Sequence, residues 1–317
     1  MNSYAIVFDV GGLYIKTAVL SVDGQIVPNT YMIYPSKSKA SMEEILEHFV
    51  DITKQQTIRI IDKDYRIEGI GFAFPGPFDY ENGISLIEGV DKFESIYGVN
   101  LRKELMARLG CDQIFMRRMA HDFLIVFEND ANLFALGEYA IGKARIYAKS
   151  LCVTIGTGAG SAFIDKGELV RDRHDVPDNG WIYNRPFRAS IVDDYISKRG
   201  IFRLMLDEGF LEAELDVKRA AELAAAGDER AIRVFERFGD DVGEMLVPFL
   251  LAYHPEAVIL GGQIVKSREL FEHRIRNALE PLDVLLEVTN ETSVSTFAGV
   301  SRLLQQKKSA IARARKA

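Results

Sequence analysis

The chain has 317 residues, enough for about two domains at roughly 150 residues each. Its 48% hydrophobic and 27% charged residues exclude the disordered class. Thirty-nine Lys and Arg against 46 Asp and Glu leave a net charge of −7, which argues against a general nucleic-acid binder, because phosphate-backbone affinity needs clustered cations.

An apolar strand, Tyr4-Ala5-Ile6-Val7-Phe8, opens the chain and ends at Asp9 and a glycine turn, Gly11-Gly12. A second strand follows at Ile15-Lys16-Thr17-Ala18-Val19-Leu20, then a polar turn at Asp23-Gly24 and a third short strand, Gln25-Ile26-Val27. Ser41-Met42-Glu43-Glu44 carries a capping-box signature, with Ile45, Phe49 and Ile52 as the apolar stripe of its helix. Ile67 to Phe74 reads as a strand driven into a turn by Pro75-Gly76-Pro77. The stretch Cys111 to Met119 reads as an insertion in which Met and Phe interleave with Arg; a solvated loop, a dimer contact and a lid all fit it. Phe123 to Phe127 is a strand ending at Glu128-Asn129-Asp130, and Ala131 to Tyr139 a helix with Asp130 as its cap.

Past a boundary near residues 135–145 the opening pattern returns. Leu151 to Ile155 is a strand, Gly156-Thr157-Gly158-Ala159-Gly160 a turn, and Ser161 to Ile164 a second strand. Lys166-Gly167 turns into a third, Glu168-Leu169-Val170. The two copies lie too far apart for a solenoid repeat, so the echo reads as a duplicated domain. A long helix is expected from Asp228 to about Tyr253, with Pro248 kinking it or ending it early. Ala257 to Leu260 is a strand running into Gly261-Gly262, and Ala298 to Arg315 a last helix. Short continuous apolar strands separated by helices are those of an α/β sheet buried on both faces. The expected organisation is an α/β lobe over 1–135 and a second over 136–299, with a C-terminal helix of about 300–317 able to pack back onto the first.

Cys111 and Cys152 make no disulfide framework and have no metal-ligand spacing, as in a reducing compartment. No apolar run reaches the length of a membrane span and no basic-then-apolar leader is visible, so a cytoplasmic location is expected. The basic cluster Lys307, Lys308, Arg313, Arg315 and Lys316 complements the negative pole of a helix end.

Chemistry gathers at the glycine turns. Glycine admits positive φ and leaves backbone N–H groups uncovered, so Gly11-Gly12 and Gly156-Thr157-Gly158 are either plain tight turns or anion nests for phosphate, the second with a Thr157 hydroxyl added. Two matched turns, each after a buried strand, favour the nests; opposed across a cleft, they would hold the β- and γ-phosphates of a nucleotide. Asp9 either caps its own turn or holds Mg²⁺ through water, and Lys16 follows it on the next strand. Asp130 stands where ligand sites of α/β sheets form and suits a general base for a hydroxyl attacking phosphorus, alongside its role as a cap. Gly261-Gly262 either admits a flat adenine and its ribose or is a plain strand–helix turn.

Asp9-Val10-Gly11-Gly12, the Gly71-to-Pro77 segment, Glu128-Asn129-Asp130-Ala131-Asn132, Gly156-Thr157-Gly158 and His254-Pro255-Glu256 before Leu260-Gly261-Gly262 occur in that order. In these the chain resembles, over nearly its whole length, the ROK family (repressors, open reading frames and sugar kinases) of the actin-like ATPase and hexokinase superfamily. The resemblance implies a two-lobed actin-like ATPase fold, ribonuclease H-like in each half, and ATP- and Mg²⁺-dependent phosphorylation of a sugar bound between the lobes. It makes Asp130 the base and places Asn129 and Gly76 at the sugar. Asp9, Gly11, Gly12, Lys16, Gly156, Thr157, Gly158, Gly261 and Gly262 fall at the nucleotide. A glucose-like hexose is the family's centre, and a homodimer is a family expectation.

Two departures bear on this. Leu13 stands where the family has Thr, removing a hydroxyl from the first turn. Asp178-Asn179-Gly180-Trp181 replaces the family's Glu-x-Gly-His, and no cysteine-rich zinc knuckle follows, so zinc is not expected. Asp178 and Asp193 then stand for the two sugar-binding glutamates, and Trp181 either stacks on a sugar or fills the zinc corner. A non-catalytic sugar- or nucleotide-binding regulator and a glycoside or amino-sugar kinase are the alternatives. Tyr4 leaves no room before it for a helix-turn-helix, an expectation against a DNA-binding repressor.

Overall fold

The structure, a computed structural model, describes residues 2–314. Arg315 and Lys316 of the basic cluster lie outside the described residues. The chain divides into two units, Met1–Gly137 with Ser293–Ala317, and Glu138–Thr292.

In the first unit β1 (Asn2–Val10), β2 (Tyr14–Ser21), β3 (Met32–Pro35) and β4 (Tyr65–Ala73) are followed by a small hairpin, β5 (Phe78–Asp79) with β6 (Ile84–Ser85), and by β7 (Met119–Glu128). The main sheet has the order β3-β2-β1-β4-β7; β1 is antiparallel to β2 and parallel to β4, which is parallel to β7. Ile6, Val7 and Phe8 are wholly buried, as a strand covered on both faces requires. Phe8, Phe72 and Phe127 are register partners on β1, β4 and β7. Their rings stack across the sheet at 4.5 and 4.9 Å between centroids. One residue further on, the strands deliver Asp9, Ala73 and Glu128 side by side at their carboxyl ends, on the face opposite the rings.

The helix Met42–Arg59 starts with the expected capping box between Ser41 and Glu44. The last helix, Thr292–Ala314, begins before the expected Ala298. It seats Val300 and Leu304 on β4 where glycine leaves room: a Cβ at Gly71 would lie 2.1 Å from Val300 and one at Gly69 2.7 Å from Leu304. The helix Asp130–Ala140 crosses it so closely that a Cβ at Gly299 would lie 1.8 Å from the Leu133 carbonyl oxygen, and one at Gly137 1.7 Å from that of Ser295.

In the second unit β8 (Lys149–Ile155), β9 (Ala159–Asp165) and β10 (Glu168–Val170) precede a hairpin, β11 (Pro186–Phe187) with β12 (Ser190–Ile191), then β13 (Ala257–Gly261) and β14 (Leu285–Val288). The sheet runs β10-β9-β8-β13-β14, with β8 antiparallel to β9 and parallel to β13. This repeats the first sheet's plan strand for strand. The α/β, ribonuclease H-like duplication implied by the resemblance is therefore the fold.

Three elements differ from the sequence reading. Gln25-Ile26-Val27 contributes an isolated bridge, Leu20 to Ile26, because the chain turns away at Asn29 with φ 63°; the third strand is β3. The 111–119 stretch is no open loop. Asp112 caps a helix, Gln113–Arg118, through the Phe115 N–H at 2.9 Å, Phe115 is buried, and the chain enters β7 directly. Pro248 does not end the long helix, Glu229–Tyr253, since Leu250 and Tyr253 beyond it are anchored in the core. No helix among the described residues is long and apolar enough to cross a membrane.

Candidate active site

At the carboxyl end of β1, Asp9 Oδ2 accepts from Lys16 Nζ at 3.2 Å and from the Ser293 hydroxyl at 3.1 Å, and Lys16 also donates to Ser293 at 2.7 Å. Asp9 and Lys16 face each other in the hairpin register, so their pairing is local; Ser293 comes from the start of the last helix and had no signal in the sequence. The turn between them closes through the Gly11 N–H on the Tyr14 carbonyl at 2.9 Å. Its Gly12 carbonyl accepts from Ser36 and Ser38 at 2.5 and 2.6 Å. Leu13 points outward, 80% exposed.

At the end of β7 the sequence Glu128-Asn129-Asp130 enters a helix. Asn129, not Asp130, is its cap: Asn129 Oδ1 accepts from the N–H groups of Ala131 and Asn132, at 3.0 and 3.4 Å. Asp130 accepts from the adjacent Ala131 N–H at 2.9 Å, and the residue is exposed to solvent. Buried Glu128 accepts from the Asn129 N–H at 2.9 Å and from Asn132 Nδ2 at 3.0 Å, which holds this corner rigid. Although solvent touches it, the Asp130 carboxyl is set down among protein atoms. That burial, then the Asp9 carboxylate, push its pKa above the ordinary carboxylate value, while the Ala131 N–H and the Lys92 ammonium oppose the rise. Gly76, exposed after β4, follows the strand that lies between those of Asp9 and Asp130; a Cβ there would sit 3.3 Å from the Tyr80 hydroxyl. The first unit thus assembles Asp9, Gly11, Gly12, Lys16, Asn129 and Asp130 at one sheet edge, and adds Lys92 and Ser293.

In the second unit the Gly156 N–H closes the turn on the Gly158 carbonyl at 2.9 Å, leaving Thr157 and Gly158 exposed. None of Gly11, Gly12, Gly156 and Gly158 has positive φ, contrary to the conformational half of the sequence argument. What glycine supplies at these turns is the missing side chain: a Cβ at Gly158 would meet Asp193 Oδ1 at 3.1 Å, and one at Gly156 would meet nothing within 4 Å. Asp193, expected at the sugar, has both oxygens engaged within its own unit. Oδ1 accepts from the Ala159 N–H at 2.6 Å and Oδ2 pairs with Arg199. Asp178 is 92% exposed and pairs with Arg185 at 3.0 Å. Trp181 is half-buried, its ring 5.9 Å from that of the partly exposed Tyr183. Gly262 has φ 103° and passes so near Ile155 that a Cβ would lie 2.3 Å from its carbonyl oxygen; its N–H donates to Thr292 at 2.8 Å. Close packing between strand ends therefore explains Gly262 without a nucleotide, and buried Gly261 precedes it on β13. Among the described residues no group of three or more His, Cys, Asp or Glu is placed to hold a metal ion.

A model of the ROK family matches residues 5–297. The chain is 25% identical to a glucokinase of Thermotoga maritima, across 83% of this chain and 82% of that one. It is 25% identical to a beta-glucoside kinase of Listeria monocytogenes, across 94% and 97%, and 23% identical to a xylose repressor of Bacillus subtilis, across 86% and 68%. A solved ROK family glucokinase from Streptomyces griseus, in complex with glucose and AMPPNP, superposes with a TM-score of 0.73 at 20% identity, covering 96% of this chain and 99% of that one.

Proposed function

Because the chain belongs to the ROK family, we propose that it is an ATP-dependent sugar kinase with Asp130 as general base. The observation that carries this reading is the strand-end geometry of the first unit. A solvent-reached carboxylate with a raised pKa stands beside a second acid and a glycine turn, and Asn129 caps the helix so that Asp130 need not. The Asp130 carboxylate takes the acceptor hydroxyl's proton as its oxygen bonds to the γ-phosphorus, and the bond to the β-phosphate oxygen breaks to release ADP. Asn129, whose Oδ1 is held by the helix N-terminus, keeps its Nδ2 donors for a sugar hydroxyl. Gly11-Gly12 and Gly156-Thr157-Gly158 offer backbone N–H groups to phosphates, and Asp193 braces the second turn rather than reaching the sugar. Asp178 and Trp181 remain the second unit's candidate sugar contacts.

Asp9 suits Mg²⁺, which is commonly held by one or two carboxylates together with substrate phosphates. Asp9 would hold it through water, and the ion would offset charge on the phosphoryl oxygens. The names of the relatives support a glucose-like hexose, an amino sugar or a β-glucoside as acceptor. A non-catalytic sugar-binding regulator is the second reading, favoured by the xylose repressor among the relatives and by Leu13 at the first turn. ATP consumption measured against glucose, mannose, N-acetylhexosamines, allose and β-glucosides separates the two. Turnover with one of them, lost in Asp130→Asn while sugar binding persists, is expected; silence across the panel favours the regulator.

A further inference from the structure

Lys92 lies in the loop between β6 and the short turn Glu94–Ile96, where sequence alone marks nothing. The fold builds a mount for it. The next residue, Phe93, is fully buried with its ring 5.3 Å from Phe74 and its N–H on the Ser38 carbonyl at 2.6 Å. The same Ser38 donates its hydroxyl to the Gly12 carbonyl, so one residue ties the Lys92 segment to the first glycine turn. A Cβ at Gly12 would come within 3.2 Å of Lys92 Cδ; the stem of the lysine therefore lies across that turn. Its charge is felt at Asp130. Neighbouring lysines are engaged, Lys16 by Asp9 and Ser293 and Lys39 by Asp91, whereas Lys92 makes no ion pair within 4 Å among the described residues.

We propose that Lys92 is a further phosphoryl-binding residue, its ammonium carried over Gly12 toward Asp130 to meet the oxygens of the γ-phosphoryl group during transfer. This rests on the kinase reading above. Charge in such a transfer is spread over the phosphoryl oxygens, and an ammonium on a flexible stem offers three donors that can follow them.

Calorimetric titration of the full chain with AMPPNP and with ADP, Mg²⁺ present, tests the assignment without requiring a sugar. Lys92→Met should weaken AMPPNP binding by about 10- to 100-fold, the range of a charge-assisted hydrogen bond, and leave ADP binding within about twofold. Lys92→Arg should keep most of the preference for AMPPNP. Lys92→Gln is read in the same way if the Met variant is unstable. Equal weakening of both nucleotides, or an unchanged preference for AMPPNP, overturns the proposal. A wild-type chain that shows the Lys92-dependent preference yet phosphorylates no sugar sinks the kinase reading and leaves Lys92 a γ-phosphate ligand with no part in transfer. Failure to bind either nucleotide overturns both.

Discussion

Replacing Asp193 distinguishes a sugar ligand from a brace. Its Oδ1 accepts the N–H of Ala159, which is 6% exposed, and the Asp193 side chain is itself 15% exposed. Asp193→Ala leaves that N–H unpaired at a cost of about 1–3 kcal/mol. The ion pair to Arg199, whose side chain is 56% exposed, adds no more than about 1 kcal/mol. Asp193→Asn retains an acceptor oxygen and loses the charge, so it should cost about 1 kcal/mol. Urea unfolding reads these losses as a lower midpoint, larger for Ala than for Asn. Since the braced residue follows Gly156-Thr157-Gly158, about 1.4 kcal/mol of lost turn order corresponds to a tenfold rise in the KM for ATP. The KM for the sugar should stay within about twofold. A raised sugar KM with an unchanged ATP KM and an unchanged urea midpoint would refute the brace and return Asp193 to the acceptor pocket.

Other outcomes follow from the same geometry. The base must be ionised and its pKa is raised, so kcat/KM should fall with decreasing pH at a higher value than an ordinary carboxylate gives; Asp9→Asn should move that acid limb down, and a limb at the ordinary position argues against Asp130 as base. A carboxyl whose folded pKa exceeds its unfolded one costs stability once ionised and nothing below the unfolded value. Asp130→Asn should therefore raise the melting temperature near neutrality and lose that gain in strong acid, as scanning calorimetry will show. Gly299→Ala places a methyl 1.8 Å from the Leu133 carbonyl oxygen, where only backbone can yield, and should cost about 3 kcal/mol or more in a denaturant titration; a neutral result would mean the two helices are not so close.

Much of this was legible in the sequence because strands buried on both faces read as continuous apolar runs, and their ends named Asp9, Asn129 and Asp130. The duplicated pattern 151–170 likewise announced the second sheet. What escaped reading depends on dihedral angles or on distant chain. Asn129 and Asp130 are both good caps by type, and only the path out of β7 decides between them. The glycine turns looked like sites of positive φ, yet positive φ is used elsewhere, at Gly24, Gly167 and Gly262. Ser293 reaches Asp9 across 284 positions, beyond any local pattern, and Lys92 comes to lie beside Gly12 only when Phe93 is drawn into the core. Asp112 three residues before Phe115 did carry a cap signal, but a six-residue helix offers too little periodicity to be recognised.

The ladder of Phe8, Phe72 and Phe127 limits how this protein can diversify. The rings lie 4.5 and 4.9 Å apart, the spacing of the hydrogen-bonded strands that carry them, so they fill the sheet face opposite Asp9 and Glu128 without a gap. Variant libraries should therefore leave these three positions invariant, because all three rings are buried and a smaller side chain leaves a void.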